Sequence, residues 1–464
     1  VVVGGGVAGL ATAYRLLRPG RDAPGAGDVD LVVLEAEASA GGKVRSVELA
    51  GTRVEAGPDS LLARKPAGVE LCRELGLGAE LEAPATGATM VWTDRGLLPF
   101  PSGPFGITTD LGELWRWPGM SWRGKLRAAA DLVRRPAPPT ADGSLGALLR
   151  RRLGDEATDR LVAPLLGGLF AGDVDGLSVR ATFPELESWE RDHGSLIRGA
   201  RAASRAARDR GAGPVFLRLR GGLHRLTEAL TAALGPDRIR CGARVERIEP
   251  RGTRYAVWSD GVEWPADAVV IATPAFAAAD LVEGFAPVAA SELRAVPYVS
   301  TAVVVLVYPK GSASALPPSS GFVVPTGRLA MTACTFVSRK WPDESFGDRA
   351  VVRCFVGAAG VEDVALEPEE DLVWGVSRQL AALLPLPERP EEARVVRWPR
   401  AMPQYEVGHL ERVDRIERAL PSGMFVVGQA YRGVGIPDCV RGAGEVAARL
   451  RAHLSGDVEG ARVS

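Results

Sequence analysis

Hydrophobic positions along this 464-residue chain change period several times, and each change predicts an element. Val1-Val2-Val3 is a short apolar run that stops at Gly4-Gly5-Gly6-Val7-Ala8-Gly9, with Ala13 beyond, which predicts a buried strand turning directly into a helix. A second run, Leu31-Val32-Val33-Leu34, ends on Glu35. The stretch between them, residues 19–28, is rich in Pro, Gly and Asp and reads as a loop. Residues 266–274 form another buried strand ending at a small-residue turn that contains Thr273. Met424-Phe425-Val426-Val427-Gly428 leads in the same way into Gly433-Val434-Gly435-Ile436, a glycine turn and helix start. Residues 298–308, 321–325, 329–336 and 351–356 look like the strands of a separate sheet, the first of them alternating and β-branched. Residues 101–205 read as mostly helical.

The first glycine run is G-x-G-x-x-G, and each glycine has a task. Gly4 lets the chain turn sharply, Gly6 lets backbone approach a phosphate, and Gly9 lets the helix pack on the sheet. The positive end of the following helix then receives a pyrophosphate. Glu35 is the expected acidic partner of a ribose, displaced from the usual spacing of about 20 residues by the 19–28 loop. Ala40-Gly41-Gly42-Lys43 supplies a second glycine pair and a cation just past that acid. A nicotinamide dehydrogenase does not need this pair, whereas an extended FAD does, because backbone must cross close to the pyrophosphate and ribityl chain. The helix opening at Gly435-Ile436 could face the flavin and stabilise negative charge on the reduced ring. Gly221-Gly222 opens a second cofactor segment, and Val245 on the strand after it is a candidate to pack on adenine or simply a sheet residue.

Composition narrows the function classes. A net charge of −1 argues against a nucleic-acid binder, and no apolar run reaches the roughly 20 residues a spanning helix needs. No signal peptide is visible, and because the chain begins at Val1 we expect a few residues to precede the first strand. The five cysteines lack C-x-x-C spacing, which suits reduced, cytosolic, mostly buried thiols. Four scattered histidines and no carboxylate cluster point away from a metal, and the absence of G-x-S-x-G points away from a serine hydrolase. Residues 111–135 interleave Trp115, Trp117 and Trp122 with six cations beyond them or among them, either a surface lying on an anionic membrane or a solvated basic face over a local core. Pro136-Ala137-Pro138-Pro139 reads as a rigid connector.

The two glycine segments and the C-terminal one resemble the FAD-binding amine oxidase superfamily. Within the helical part, Pro164-Leu165-Leu166-Gly167-Gly168-Leu169-Phe170-Ala171-Gly172-Asp173, then Leu177-Ser178 and Phe183-Pro184, resembles the signature of the porphyrinogen oxidases. Gly57-Pro58-Asp59-Ser60 followed by Arg64-Lys65-Pro66, the Cys334 and Lys340-Trp341-Pro342 segments, Pro403-Gln404-Tyr405 with Gly408-His409, and Tyr431-Arg432-Gly433 extend the likeness over nearly the whole chain. They match the Gram-positive branch, and residues 87–92 lack the cation that the mitochondrial type carries there.

The resemblance implies an α/β plus α+β architecture: a discontinuous Rossmann-like FAD-binding domain, a sheet-based substrate domain and an inserted helical domain. The expected segments are 1–60, 206–285 and 410–464 for FAD, 61–100 and 286–409 for substrate, and 101–205 for the helical insertion. The implied activity is the six-electron oxidation of coproporphyrinogen III to coproporphyrin III. Hydride passes to flavin N5, and O2 reoxidises the flavin with release of H2O2. Protoporphyrinogen IX oxidation, an amine oxidase or desaturase, and a non-catalytic FAD scaffold stay open as alternatives. No general base is implied. The Gly168 carbonyl, in a glycine-rich bend, is expected to orient pyrrole N–H groups. Lys65 and Arg64 are the expected propionate cations, with Leu166, Phe170, Met331 and Tyr405 bordering the pocket. Gly57, Pro58, Asp59, Ser60, Thr273, Gly428, Gly433, Val434, Gly435 and Ile436 join the expected cofactor contacts. A ferrochelatase or other haem-binding protein is the candidate partner, monomer and homodimer are both open, and the expected location is cytoplasmic with or without peripheral membrane contact.

Overall fold

Five short strands from distant parts of the chain form one parallel sheet. The computed structural model describes residues 1–18, 29–136, 142–209, 211 and 213–456; the 19–28 loop and all but Pro136 of the proline connector lie outside them. Across the sheet the order is Ile239–Cys241, Val33–Glu35, Val2–Val3, Val269–Ile271 and Met424–Val426, every pair parallel. All but the first of these strands are buried throughout, as expected for a sheet covered on both faces. The helices Val7–Leu17, His224–Leu234 and Ile436–Leu454 pack on one face around Leu10, Leu226 and Val446, while Ala275–Val282 and Pro287–Arg294 cover the other.

A seven-stranded, mostly antiparallel sheet stands beside it, built on the long pair Tyr298–Val307 and Glu392–Pro403. Residue alternation along Val351–Val356 shows its two faces. Val352 and Cys354 point into a core closed by the helix Glu369–Leu383, and Val351 points towards the hairpin of Ser46–Leu49 and Thr52–Glu55. That hairpin belongs to the first 60 residues, yet Leu49 and Val54 pack on the second sheet through Val303 and Val305. Its alternating pattern supplies one apolar face, and only the antiparallel sheet presents a matching one.

The described residues between 104 and 209 are mostly helical, around a core that includes Leu145, Leu149, Leu166 and Phe183. A buried ion pair locks this region. Arg152 donates through Nε to Asp131 Oδ1 at 2.5 Å and through Nη2 to the carbonyls of Asp131 and Gly194 at 2.7 Å. Ser195 Oγ and the Ile197 amide donate to the other carboxylate oxygen. Both side chains are at most 1 % exposed.

Candidate active site

The carboxyl ends of the parallel strands carry the glycines the sequence singled out. Gly4 has φ +106°, and a side chain on Gly9 would overlap the Gly4 carbonyl oxygen, so strand, turn and helix close up only with hydrogen at that position. Gly6 and Gly41 form an isolated bridge, with the Gly41 amide donating to Gly5 O at 2.8 Å. A Cβ on Gly42 would sit 3.1 Å from Gly6 Cα, so the two glycine segments leave a bare backbone cradle between them. Glu35 is fixed above it: the Gly5 amide donates to Oε2 at 2.6 Å and the Glu37 amide to Oε1 at 2.8 Å. Each oxygen keeps a lone pair for a ribose hydroxyl.

Lys43 gives the cradle its charge. Its Nζ donates to Ala401 O at 2.5 Å, and it has no carboxylate partner among the described residues. Burial lowers its pKa to about 8, opposed by Cys439. A half-buried ammonium with no carboxylate partner among the described residues fits an anionic cofactor, and the bare glycines fit a pyrophosphate. Gln429 donates to the same Ala401 carbonyl, tying this strand to the segment that begins at Gly428, whose φ of +128° turns the chain out of the sheet. Thr273 sits at the neighbouring strand end, and its hydroxyl approaches only Pro274 O, at 3.4 Å. Val245 lies at a bulge beside Ser259, half-buried and packed with the core beneath the sheet.

A ladder of rings runs from the surface to the last glycine turn. Arg64 lies over Phe105 at 4.8 Å; Phe105 meets Phe183 at 5.6 Å, Phe183 meets Phe170 at 5.8 Å, and Phe170 meets Tyr405 at 5.8 Å. Tyr405 stacks on His409 at 3.9 Å, donates to Gln429 O and accepts from the Gly433 amide at 2.8 Å. Arg64, Phe170, Tyr405 and Gly433 therefore belong to one continuous structure, with Val434 packed beside it.

Several expected placements change. Gly168 is not in a bend: it lies in the last turn of the helix Ala163–Phe170, and its carbonyl accepts from the Ala171 amide at 3.3 Å. The reversal falls at Ala171, φ +49°, and a side chain on Gly168 would meet open space. Leu166 and Met331 are fully buried in two different cores, so neither forms an exposed wall; Leu169, 51 % exposed beside Gly168, is the apolar residue at the open face. Lys65 is engaged by Asp438, its Nζ 2.8 Å from both carboxylate oxygens, which binds the start of Pro66–Glu74 to the first turn of Ile436–Leu454. Asp59 faces Lys340 Nζ at 2.9 Å, Trp341 Nε1 at 3.2 Å and Arg353 Nη1 at 3.5 Å, while Ser60 donates to its other oxygen. Burial raises its pKa, but these two cations prevail and hold the carboxyl well below its usual range. Arg353 also donates to Gly57 O at 2.5 Å, so the Gly57-Pro58-Asp59-Ser60 turn is clamped by the antiparallel sheet.

His409 is wholly buried, with Nε2 2.8 Å from Tyr431 O and Nδ1 without a hydrogen-bond partner among the described residues. Burial, helped by Arg412 and Arg432, lowers its pKa to about 4. The unfolded chain takes up this proton near pH 6.5 and the folded one does not, so stability falls as pH drops from 6.5 towards 4. A His409→Gln variant should lose about 2 kcal/mol of the wild type's destabilisation between pH 7 and pH 5, read by urea unfolding at both pH values. Parallel pH dependence in the two proteins would contradict the buried neutral imidazole.

Among the described residues no His, Cys, Asp and Glu group has the arrangement to hold a metal, and no helix is long and apolar enough to cross a membrane. The family model for flavin containing amine oxidoreductases matches residues 7–451. The chain is 35 % identical to coproporphyrinogen III oxidase of Bacillus subtilis, over 95 % of each protein. It is 31 % identical to coproporphyrinogen III oxidase of Staphylococcus aureus, over 96 % of this chain and 97 % of that protein. The crystal structure of an Exiguobacterium sp. protein named as a candidate protoporphyrinogen oxidase superposes with a TM-score of 0.85 at 32 % identity, covering 97 % of this chain and 98 % of that one. Glycine cradle, half-buried lysine and full-length likeness agree, and the chain belongs to the flavin-containing amine oxidoreductase family.

Proposed function

We propose that the protein is an oxygen-dependent coproporphyrinogen III oxidase that uses FAD. The carrying observation is the likeness, across 95 % of the chain, to a relative of that name. Gly4, Gly6, Gly9, Gly41, Gly42 and Lys43 would hold the pyrophosphate and ribityl region, and Glu35 the adenine-side ribose. When bound, FAD accepts a hydride from a meso carbon and passes the electrons on to O2. The chain's own contribution is position. Backbone glycines admit the cofactor, Tyr405 fixes the Gly433 turn, and Phe170 with its neighbouring rings forms a rigid apolar flank. Hydride loss from a carbon between two pyrroles leaves a delocalised cation, so no side-chain base is required.

Propionates need cations, and the two candidates differ. Lys65 is held by Asp438, whereas Arg64 has no carboxylate partner among the described residues and lies over Phe105 at the outer end of the ring ladder. We assign Arg64 to a propionate and Lys65 to orienting the start of the last helix. The protoporphyrinogen IX reading is kept because of the name given to the Exiguobacterium protein.

The test is a side-by-side kcat/KM comparison of FAD-loaded protein on coproporphyrinogen III and protoporphyrinogen IX, followed by porphyrin fluorescence. Preference for the tetrapropionate substrate is expected; preference for the dipropionate one would overturn the proposal. Arg64→Ala should raise KM for coproporphyrinogen III about tenfold with flavin content unchanged. An unchanged KM would remove Arg64 from the site.

A further inference from the structure

Residues 404–409 join two parts of the molecule that are far apart in sequence. On one side they are tied to the helical region: Gln404 Nε2 donates to Phe170 O at 2.9 Å, the Ser178 amide to Tyr405 O at 2.7 Å, and the Gly408 amide to Asp142 Oδ2 at 2.9 Å. On the other side two rings grip the turn between Met424–Val426 and Ile436–Leu454. Tyr405 Oη donates to Gln429 O at 2.7 Å and accepts from the Gly433 amide at 2.8 Å, and His409 Nε2 lies 2.8 Å from Tyr431 O. The rings stack at 3.9 Å with 13° between their planes, and both are fully buried. A carbonyl only accepts, so the histidine bond requires the proton on Nε2. Burial keeps the imidazole neutral and the Tyr405 phenol protonated. Two side chains thus set the main chain at Gln429, Tyr431 and Gly433.

The turn matters because of what it aims. A side chain on Gly428 would sit 3.8 Å from Ala8 Cβ, and Gln429 Nε2 shares the Ala401 carbonyl with Lys43. The turn therefore starts beside the helix and the lysine assigned to the cofactor. It ends at Gly435, where no side chain caps the helix Ile436–Leu454. The acid in the first turn of that helix, Asp438, is directed to Lys65. The free amides opening such a helix carry about half a positive charge and favour negative charge in front of them. Two-electron reduction puts negative charge on a flavin ring, so the direction of these amides bears on how readily the ring is reduced.

We propose that His409 and Tyr405 are positioning residues for the flavin: through Gln429, Tyr431 and Gly433 they hold the start of the last helix towards the flavin ring and raise its reduction potential. Both side chains are sealed inside the fold, so they act through main chain and not by touching the cofactor. The inference rests on flavin binding and stands apart from the choice of substrate.

The midpoint potential of the purified flavoprotein, equilibrated against a reference dye, tests it once the ratio of flavin to protein is known. His409→Phe keeps a ring on Tyr405 but removes the donor, His409→Gln keeps a donor near the Nε2 position, and Tyr405→Phe removes only the bridging hydroxyl. His409→Phe and Tyr405→Phe should bind FAD and shift the equilibrium about tenfold from reduced towards oxidised flavin, about 30 mV for a two-electron couple. His409→Gln should stay near wild type. Phe336→Leu, which truncates a ring in the core of the antiparallel sheet, should lower the melting temperature without moving the potential. A wild-type potential in flavin-loaded Tyr405→Phe overturns the proposal, even where His409→Phe fails to fold. So does a shift in Phe336→Leu as large as that in Tyr405→Phe, or one in His409→Gln as large as that in His409→Phe. Loss of bound flavin from Tyr405→Phe overturns it as well, since the turn would then retain the cofactor and not tune it. A wild type that binds no FAD would overturn the cofactor reading, and the proposal with it.

Discussion

Replacing Gly9 by valine should yield a colourless protein. A Cβ at this position overlaps the Gly4 carbonyl oxygen and reaches within 3.2 Å of Ala272 Cβ, so the helix Val7–Leu17 must move away from the first strand. That shift opens the Gly6–Gly42 cradle and misdirects the helix N-terminus from the phosphate position. The obstacle is backbone, and no rotamer change relieves it. We expect flavin content to fall at least tenfold, read as the ratio of flavin to protein absorbance after purification, with a lower melting temperature that added FAD does not restore. Gly168→Ala is the counterpart control, because a side chain there meets open space and should leave flavin content intact. Equal flavin loading of the Gly9 variant and the wild type would show that the cofactor does not use this turn.

The largest stability loss should come from Arg152→Met. Asp131 would be left in the helical core, fully buried, facing only Ser195 and the Ile197 amide. Removing one partner of a buried pair costs about 3–5 kcal/mol, chiefly from the charge left uncompensated. Urea unfolding should show that loss in the single variant. In Arg152→Met with Asp131→Leu, where neither charge is buried, much of it should return. If the double variant is as unstable as the single one, the pair's hydrogen bonds to Gly194 and Ser195, and not its charge, hold the region together.

The strand, turn and helix proposed to hold the cofactor are local in sequence and therefore legible there. Three glycines and a preceding apolar run occupy one strand-turn-helix unit, Glu35 ends the next strand, and the glycine spacing carries its own geometry. The pairs that shape the rest join residues hundreds of positions apart. Lys65 with Asp438, and Asp59 with Lys340 and Arg353, leave no local pattern, because the sheets are assembled from interleaved segments. Lys65 read as an unoccupied cation for that reason. Gly167-Gly168 was misplaced on different grounds: two glycines cost a helix about 1 kcal/mol each, which favours reading a bend. Packing of Leu166 and Phe170 in the helical core outweighs that preference, and the turn is postponed to Ala171. In the sequence the apolar residues Leu166 and Met331 suit a pocket and a core equally, and only tertiary packing, in the helical core for Leu166 and on a sheet face for Met331, decides between them.

The parallel sheet has a consequence for how the chain is made. Val2–Val3 is made before the other strands of the sheet, yet one of its neighbours is Val269–Ile271, and one outer strand is Met424–Val426. At roughly 5–20 residues per second, the founding strand waits on the order of tens of seconds for its partners. Throughout that wait one edge of an apolar strand is uncovered, and the segment from Gly428 to Gly435 at the far end of the sheet is among the last to be made. The complete sheet therefore forms only after residue 426 has been made, and yield in a heterologous host should rise with holdase chaperones that shield the early strands.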